Sequence, residues 1–160
     1  MKNKSRIIII GPAASGKDFL KKKFKERGFE LDVSYTSRPP REGEIDGVHY
    51  NFISETEFIN KFYDFYEYTK HGPYWYGTGQ YEWDNYDVFI METHGISEII
   101  PEDRKNCFII YLNPPHYIRE ERLKELRGWS VEQISHRTEM DNEKFSTFTD
   151  FDMEITNPDF

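Results

Sequence analysis

The sequence Arg-Ile-Ile-Ile-Ile-Gly-Pro-Ala-Ala-Ser-Gly-Lys-Asp-Phe, residues 6–19, decides the fold of this chain. Its four consecutive isoleucines predict a strand buried on both faces, as in parallel sheets covered by helices. The Gly-x4-Gly-Lys spacing from Gly11 to Lys17 then bends the chain tightly, so that backbone N–H groups can surround a phosphate. A helix predicted from Lys17 to about Arg27 directs its positive end to the same place. A plain glycine turn is the alternative, but the order strand, loop, helix favours a phosphate-binding loop (P-loop).

Asp18 occupies the position at which P-loops usually carry Ser or Thr, whose hydroxyl binds Mg²⁺. A carboxylate is also a good oxygen ligand for Mg²⁺, directly or through water, although it brings negative charge close to the phosphates. We therefore predict ATP and Mg²⁺ as cofactors, with Asp18 as the metal ligand and Lys17 as a catalytic residue that reaches the outer phosphates. The residues predicted to bind ATP in this stretch are Gly11, Ala13, Ala14, Ser15, Gly16, Lys17, Asp18 and Phe19.

A second candidate anion site follows between Ser34 and Ser54, where Arg38 and Arg41 stand three residues apart. Each guanidinium offers several fixed donors and keeps its charge, so the pair can grip one phosphate. A solvated loop is the alternative for this pair taken alone. Two phosphate sites in one small domain predict that a phosphoryl group passes between two bound molecules.

The composition limits the partners of the chain. Its 160 residues correspond to about one domain, and a net charge of −8 argues against nucleic-acid binding, which needs a basic face. Cys107 is the only cysteine, so we expect a buried, inert thiol in a reducing cytoplasm. No apolar stretch approaches the length of a membrane span, and the first residues lack a signal-peptide core. We therefore expect a soluble cytoplasmic protein without membrane partners, and the histidines show no metal-ligand spacing.

Alternating strands and helices predict one α/β domain that carries an inserted small lobe. The predicted strands are Arg6–Ile10, Phe29–Ser34, His49–Ile53, Asp87–Met91, Asn106–Leu112 and Phe151–Ile155; the other predicted helices are Glu55–Phe62, His116–Leu126 and Val131–Lys144. The aromatic stretch from Phe62 to Tyr86 predicts the core of a small sheet, and some of its rings can also line a cleft for a flat ligand.

Residues 36–52 resemble the signature of the guanylate kinase family almost letter for letter. The matching letters are Thr36, Ser37, Arg38, Arg41, Gly43, Glu44, Gly47, Tyr50 and Phe52. Later segments resemble the same family more weakly: Tyr76-Gly77-Thr78 after Glu67, the strand that leads to Glu92, and the arginines Arg122, Arg127 and Arg137. The resemblance covers nearly the whole chain.

The resemblance implies the P-loop fold of nucleoside monophosphate (NMP) kinases. This is an α/β fold with a central parallel five-stranded sheet flanked by helices, a small mixed NMP-binding lobe and a short arginine-bearing lid. It divides the single domain, 1–160, into a core (1–33, 85–126 and 138–160), an NMP-binding lobe (34–84) and a lid (about 127–137). It also implies an enzyme, a monomer or a homodimer, that transfers the γ-phosphoryl group of ATP to GMP or dGMP with Mg²⁺.

The resemblance also implies roles for individual residues. The residues implied to bind GMP are Ser34, Arg38, Arg41, Tyr50, Glu67, Tyr76, Thr78 and Glu92. The two arginines and two tyrosines would hold the acceptor phosphate, and Glu67 would accept two hydrogen bonds from guanine. Arg38, Arg122 and Arg137 join Lys17 as implied catalytic residues, and Asn157 lies where relatives contact adenine.

Two departures from the family pattern leave alternatives open. Asp18 replaces the hydroxyl residue, and Ile90 replaces the first of two acids that often end the next core strand. The Gly-Lys-Asp form of the P-loop resembles ribose 1,5-bisphosphate phosphokinases, which lack the full signature of residues 36–52. A catalytically weak module that binds GMP or phosphopeptides is the other alternative, although such modules usually lose the P-loop that is intact here.

Overall fold

A computed structural model describes residues 4–160 of the chain. Its strands are β1 (Arg6–Ile10), β2 (Tyr35–Thr36), β3 (Asn51–Phe52), β4 (Phe65–His71), β5 (Tyr74–Gly79), β6 (Val88–Ile90), β7 (Cys107–Leu112) and β8 (Met153–Ile155). Its helices are α1 (Lys17–Glu26), α2 (Glu55–Asn60), α3 (Gln80–Asn85), α4 (Thr93–Ser97), α5 (Pro101–Arg104), α6 (His116–Arg127) and α7 (Val131–Phe145). The predicted elements are confirmed within about two residues at each end, except the strand predicted over Phe29–Ser34.

Strand β1 lies between β6 and β7 in a parallel sheet with the order β6-β1-β7-β8. Ile8, Ile9 and Ile10 have no exposed surface. Ile8 and Ile10 pack into one hydrophobic cluster and Ile9 into another, so the strand is buried on both faces as predicted. Because the strands are parallel, their carboxyl ends meet at one edge of the sheet, where the P-loop and Glu92 follow β1 and β6.

The central sheet has four strands rather than the five predicted. In the segment predicted as the missing strand, Phe29–Ser34, only Leu31 forms a bridge, a single parallel pairing with Val88. The Asp32 N–H still donates to the Val88 carbonyl at 2.9 Å, but the chain then leaves this sheet. It continues into β2, which pairs with β3 and β5 instead. The segment therefore touches the central sheet only at Leu31 and Asp32, and this part beside β6 is too short to form a strand.

The inserted lobe is a mixed sheet with the order β3-β2-β5-β4, followed along the chain by α3. Its core is aromatic, as predicted: the Phe58 ring lies 4.5 Å from that of Phe65 and 6.0 Å from that of Trp75, stacked on both. Ser54 and Glu57 form the predicted capping box at the start of α2. The rings of residues 62–86 therefore mainly build the lobe that carries the second candidate anion site.

Helices α6 and α7 form a hairpin that rests on the P-loop. Leu123 of α6 and Ile134 of α7 pack with Ala13 of the loop in one buried cluster. At the start of α7, the Ser130 hydroxyl accepts a hydrogen bond from the Gln133 N–H at 3.2 Å, and the Gln133 side chain accepts one from the Ser130 N–H at 2.9 Å. The residues predicted as a lid, about 127–137, thus comprise the turn and the first part of α7.

Two further features agree with the composition. Cys107 is buried at the start of β7, where burial raises the pKa of its thiol to about 11. Its thiol therefore stays protonated and unreactive at neutral pH. Within residues 4–160, no helix combines the length and the apolar character that crossing a lipid bilayer requires.

We expect Ser130→Ala to lower the free energy of unfolding by about 1 kcal/mol, because it removes the hydroxyl that caps α7. Urea unfolding followed by circular dichroism would measure this change. Ser135→Ala is the matched control, since Ser135 is exposed inside the same helix. Equal stability of the two variants would contradict the role of the cap.

Candidate active site

The P-loop forms a tight anion-binding bend after β1. Ala14 and Gly16 both have positive φ angles, 57° and 100°. A Cβ atom at Gly11 would lie 2.4 Å from the Leu112 carbonyl oxygen, so only glycine fits there. The Ser15 hydroxyl is buried without a hydrogen-bond partner among the described residues. Successive backbone N–H groups in such a bend form a concave site that favours anions.

Lys17 lies across this bend. Its Nζ atom donates to the Gly11 carbonyl at 2.7 Å and the Pro12 carbonyl at 3.0 Å. Burial lowers the pKa of Lys17, while the carboxylates of Glu92 and Asp18 oppose that shift. An ammonium held by two carbonyls and two nearby acids is poised to transfer its hydrogen bonds to phosphate oxygens.

The predicted acceptor arginine, Arg38, is held by an acid that the sequence motif contained but to which we assigned no role. Both terminal nitrogens of Arg38 donate to the two carboxylate oxygens of Glu44 at 2.9 Å. The Arg41 N–H donates to Glu44 at 2.6 Å, and the Arg41 side chain is exposed. Desolvation opposes ionisation of Glu44, but these donors outweigh it and lower its pKa. The bidentate geometry is the one that a phosphate also accepts.

Tyr50 and Tyr76 complete this anion site. Their rings pack edge to face at 6.1 Å, and the Arg38 guanidinium carbon lies 5.5 Å from the Tyr50 ring centre. Burial raises the pKa of Tyr50, and the charges of Asp18 and Glu92 raise it further. Since Asp18 and Glu92 belong to the P-loop edge of the central sheet, Tyr50 lies within reach of charges at that edge.

Four polar side chains form a buried group at the end of the mixed sheet. The Thr78 hydroxyl donates to Glu67 at 2.8 Å, and the Ser34 hydroxyl donates to the second acid, Asp32, at 2.5 Å. Burial raises the pKa of Glu67 to about 7 and that of Asp32 to about 6. Glu67 pairs with Thr78 across β4 and β5, and a Cβ atom at Gly95 would lie 2.9 Å from Glu67. The group presents mostly hydrogen-bond acceptors, which suits a ligand edge rich in N–H donors.

Glu92, at the carboxyl end of β6, forms an ion pair with Lys144 of α7 at 2.5 Å. Burial alone would raise the pKa of Glu92, but the ammonium groups of Lys144 and Lys17 outweigh it and lower the pKa. Glu92 is therefore ionised and neutralises part of the positive charge between the two anion sites.

The arginines of the hairpin differ in position. Arg122 donates to the Ala14 carbonyl at 3.1 Å and the Pro158 carbonyl at 3.2 Å, rather than pairing with a neighbouring acid. Arg137 lies between Asp141, whose Oδ1 atom is 3.1 Å from its Nε, and the His71 Nε2 atom, 3.1 Å from its Nη1. Arg122 and Arg137 thus lie at the P-loop.

Other predicted residues stand apart from these contacts. The side chain of Asp18 is exposed in the first turn of α1. Phe19 is exposed and packs on Phe160 with ring centres 6.0 Å apart. Asn157 is exposed, and its side-chain oxygen accepts from the Asp159 N–H at 3.0 Å. The structure describes no contact that would test the predicted adenine role of Asn157, which stays a prediction.

Sequence reasoning did not identify Glu44, Asp32, Asp141 or His71 as members of the site. Glu44 could have been found from its spacing after the two arginines, because a carboxylate in a short loop is the natural partner of a buried guanidinium. Asp32 follows an apolar segment, and such an acid needs a reason to be buried. No comparable signal precedes Asp141 or His71, because both depend on contacts between distant segments.

Three features define the class of this chain: a P-loop after a buried parallel strand, a lobe with the Arg38 site, and a hairpin with further arginines. They are typical of P-loop phosphotransferases with a separate acceptor lobe. The family model "Guanylate kinase" matches residues 3–160. The chain belongs to the guanylate kinase family.

Individual relatives agree with this assignment. The chain is 33% identical over 172 residues to a guanylate kinase of Rickettsia prowazekii, covering 99% of this chain and 86% of the relative. It is 32% identical over 167 residues to one of Mycoplasmopsis pulmonis, covering 94% and 85%. The crystal structure of guanylate kinase from Anaplasma phagocytophilum shares the fold with a TM-score of 0.71, at 20% identity over 98% of this chain and 78% of that one.

We expect the buried acid Glu67 to make the protein less stable as the pH rises. Its pKa is about 7 in the folded chain and near 4.5 ordinarily, so the unfolded chain loses this proton first. Folding stability from this group is therefore lost between about pH 4.5 and about pH 7. Glu67→Gln removes this proton. Between these pH values the variant should therefore lose less unfolding free energy than the unmodified protein, by on the order of 3 kcal/mol.

Urea unfolding at several pH values would measure the difference. Glu125→Gln, which replaces an exposed acid of α6, is the control and should follow the unmodified protein. A Glu67→Gln profile that is parallel to the unmodified one would contradict the raised pKa.

Proposed function

We propose that this chain is an ATP:GMP phosphotransferase that converts GMP or dGMP to the diphosphate, with ADP as the second product. The observation that carries the proposal is the placement of two anion sites, the P-loop and the Arg38 site, on two sides of the molecule that contacts of Arg137 join. Arg137, whose guanidinium lies between the Asp141 carboxylate and His71 of the lobe, spans these sides. In the reaction, a phosphate oxygen of GMP attacks the γ-phosphorus of ATP, and the bond to the β–γ bridging oxygen breaks.

The P-loop binds the donor in this proposal. Backbone N–H groups within residues 14–19 surround the phosphates, since Pro12 has no N–H and the Ala13 N–H donates to Asp141. Lys17 moves its hydrogen bonds from the Gly11 and Pro12 carbonyls to the outer phosphates. Arg122, which already contacts the Ala14 carbonyl, adds positive charge at the same loop. Phosphoryl transfer requires mainly positioning and charge stabilisation, which these groups supply without a covalent intermediate.

The Arg38 site binds the acceptor phosphate. Glu44 holds the Arg38 guanidinium in a fork geometry, so its donors are oriented before the phosphate arrives. Arg41 is exposed and free to move toward the phosphate, and the hydroxyls of Tyr50 and Tyr76 add two uncharged donors. The acceptor is thereby held in line with the donor at the P-loop.

The buried group around Glu67 recognises the base. Guanine presents N1–H and an exocyclic amine side by side, and a carboxylate accepts from both. Glu67, Thr78, Ser34 and Glu92 are the residues that we assign to this task. Adenine lacks that pair of donors and would leave the buried carboxylate unpaired, which a polar site rejects strongly.

Mg²⁺ is the cofactor that the donor site fits. Among residues 4–160, no three His, Cys, Asp or Glu side chains are grouped so that they could hold a metal ion on their own. Mg²⁺ in phosphotransferases takes most of its ligands from phosphates and water, with one or two carboxylates. The exposed carboxylate of Asp18 at the loop provides one such ligand and offsets the acid that Ile90 replaces. When bound, the ion neutralises phosphate charge.

We expect turnover to be confined to GMP and dGMP when ADP release from Mg-ATP is measured with five acceptors in parallel. The others are AMP, dTMP and ribose 1,5-bisphosphate, and rejection of AMP should reach about 10⁴-fold in kcat/KM. Turnover with ribose 1,5-bisphosphate alone would replace the proposal by a sugar phosphate kinase. GMP binding without turnover would make the chain a binding module.

We expect Asp18→Ala to raise the Mg²⁺ concentration needed for half-maximal rate about tenfold and to lower kcat. Asp64→Ala, which removes another exposed aspartate, is the control and should leave both values unchanged. Magnesium titrations of the steady-state rate would measure the effect. An unchanged magnesium requirement in Asp18→Ala would show that Asp18 contributes no ligand.

The cytoplasmic location and the choice between monomer and homodimer stay predictions. Both would be tested by fractionation and by sedimentation of the purified chain.

A further inference from the structure

Asp141 is a buried acid of α7 that the proposed reaction does not use. Only 2% of its surface is exposed, and it lies one helical turn after Arg137. Buried ion pairs are often no more stabilising than apolar residues of the same volume, so stability alone explains such an acid poorly. Its contacts point to a different role.

The two carboxylate oxygens of Asp141 divide their contacts between three segments. Oδ2 accepts a hydrogen bond from the Ala13 N–H of the P-loop at 2.9 Å and lies 3.8 Å from the Arg119 Nη1 atom of α6. Oδ1 lies 3.1 Å from the Arg137 Nε atom. One side chain thus joins the loop, both helices of the hairpin and the lid arginine.

Arg137 has a second contact, with the acceptor lobe. Its Nη1 atom lies 3.1 Å from the His71 Nε2 atom at the end of β4. Because a guanidinium only donates, this histidine nitrogen accepts and the ring is neutral. Burial lowers the pKa of His71, and the charges of Lys144 and Arg137 lower it further, which agrees with a neutral ring. The guanidinium therefore spans from the P-loop side to the acceptor lobe.

We propose that Asp141 is a positioning residue that fixes Arg137 and the P-loop relative to each other, so that the guanidinium meets the phosphoryl group in transit. The assignment rests on the proposed function, because it gives Arg137 a phosphoryl group to meet. Nε makes no hydrogen bond among the described residues, and its ion pair with Asp141 holds the guanidinium by charge. The Nη1 atom can therefore exchange His71 for a phosphate oxygen. The Ala13 hydrogen bond ties that orientation to the loop that holds the donor.

The geometry predicts which kinetic constant changes. An arginine displaced from the path of the phosphoryl group loses contacts made in the transition state, so kcat falls while KM for GMP is maintained. Asp141→Asn keeps the shape and loses the charge, and should lower kcat about 10- to 100-fold. A purely structural acid would instead lower the melting temperature and leave kcat of the folded protein unchanged.

A double-mutant cycle tests the proposal. The variants are Asp141→Asn, Arg137→Ala and the double variant, with Glu139→Gln as the control that removes an exposed charge from the same helix. We expect the double variant to have the kcat of Arg137→Ala, because Asp141 acts through Arg137. Arg137→Lys, which keeps the charge but lacks Nε, should resemble Arg137→Ala. Multiplicative losses of kcat would overturn the proposal.

Two further measurements keep the test decisive. If Asp141→Asn does not fold, Asp141→Glu replaces it in the cycle, since it keeps the charge but shifts the carboxylate by one methylene. The same variants can be compared by their Kd for ATP, measured by titration calorimetry, which needs no turnover. Independent effects of the two substitutions on this Kd would overturn the role of Asp141. If the unmodified chain binds ATP and GMP without turnover while the variants show coupled effects on Kd, the proposed function alone is overturned.

Discussion

The pairing of β1 with β6 and β7 is the constraint on which the site depends. Strand β1 is buried on both faces and lies between two parallel neighbours, so its direction and register are fixed by the core. The chain must bend sharply where this strand ends, because Gly11 lies against the Leu112 carbonyl of β7. The same edge receives Glu92 from β6, and the hairpin of α6 and α7 packs on the loop through Leu123 and Ile134. The P-loop is therefore held from three directions by the fold itself.

The second organising feature is that three of the cations expected to meet a phosphate lie near carboxylates of the chain. Glu44 holds Arg38, and Asp141 holds Arg137. Lys17 lies within the field of Glu92, which itself pairs with Lys144. This arrangement explains how a chain with a net charge of −8 can bind two anionic nucleotides. In the proposed reaction the acids orient the cations in the absence of ligand, and the phosphates then take over part of these contacts.

Sequence reasoning succeeded where a local pattern has one structural outcome. The isoleucine strand, the P-loop and the capped start of α2 each follow from neighbours within a few residues. It failed where the outcome depends on distant segments. Residues 29–34 look like one strand, yet only Leu31 pairs with the central sheet, because the chain then leaves it to pair with β5 from Tyr35 onward. The contact of Asp141 with Ala13 joins residues 128 positions apart, and no local pattern reports it.

Asp32 and Glu67 show how the fold tolerates buried groups that lower its stability. Asp32 and Glu67 are buried acids with raised pKa values, so their ionisation at neutral pH lowers the stability of the folded chain. Each is only partly compensated: Asp32 by the charge of Lys21 and the Ser34 hydroxyl, and Glu67 by the Thr78 hydroxyl. One oxygen of Asp32 has no partner among the described residues. Unsatisfied buried acceptors of this kind are stabilised by a ligand that brings N–H donors. In the proposed function these destabilising acids face guanine, and the same lack of partners that lowers stability without a ligand would favour a donor-rich base over adenine.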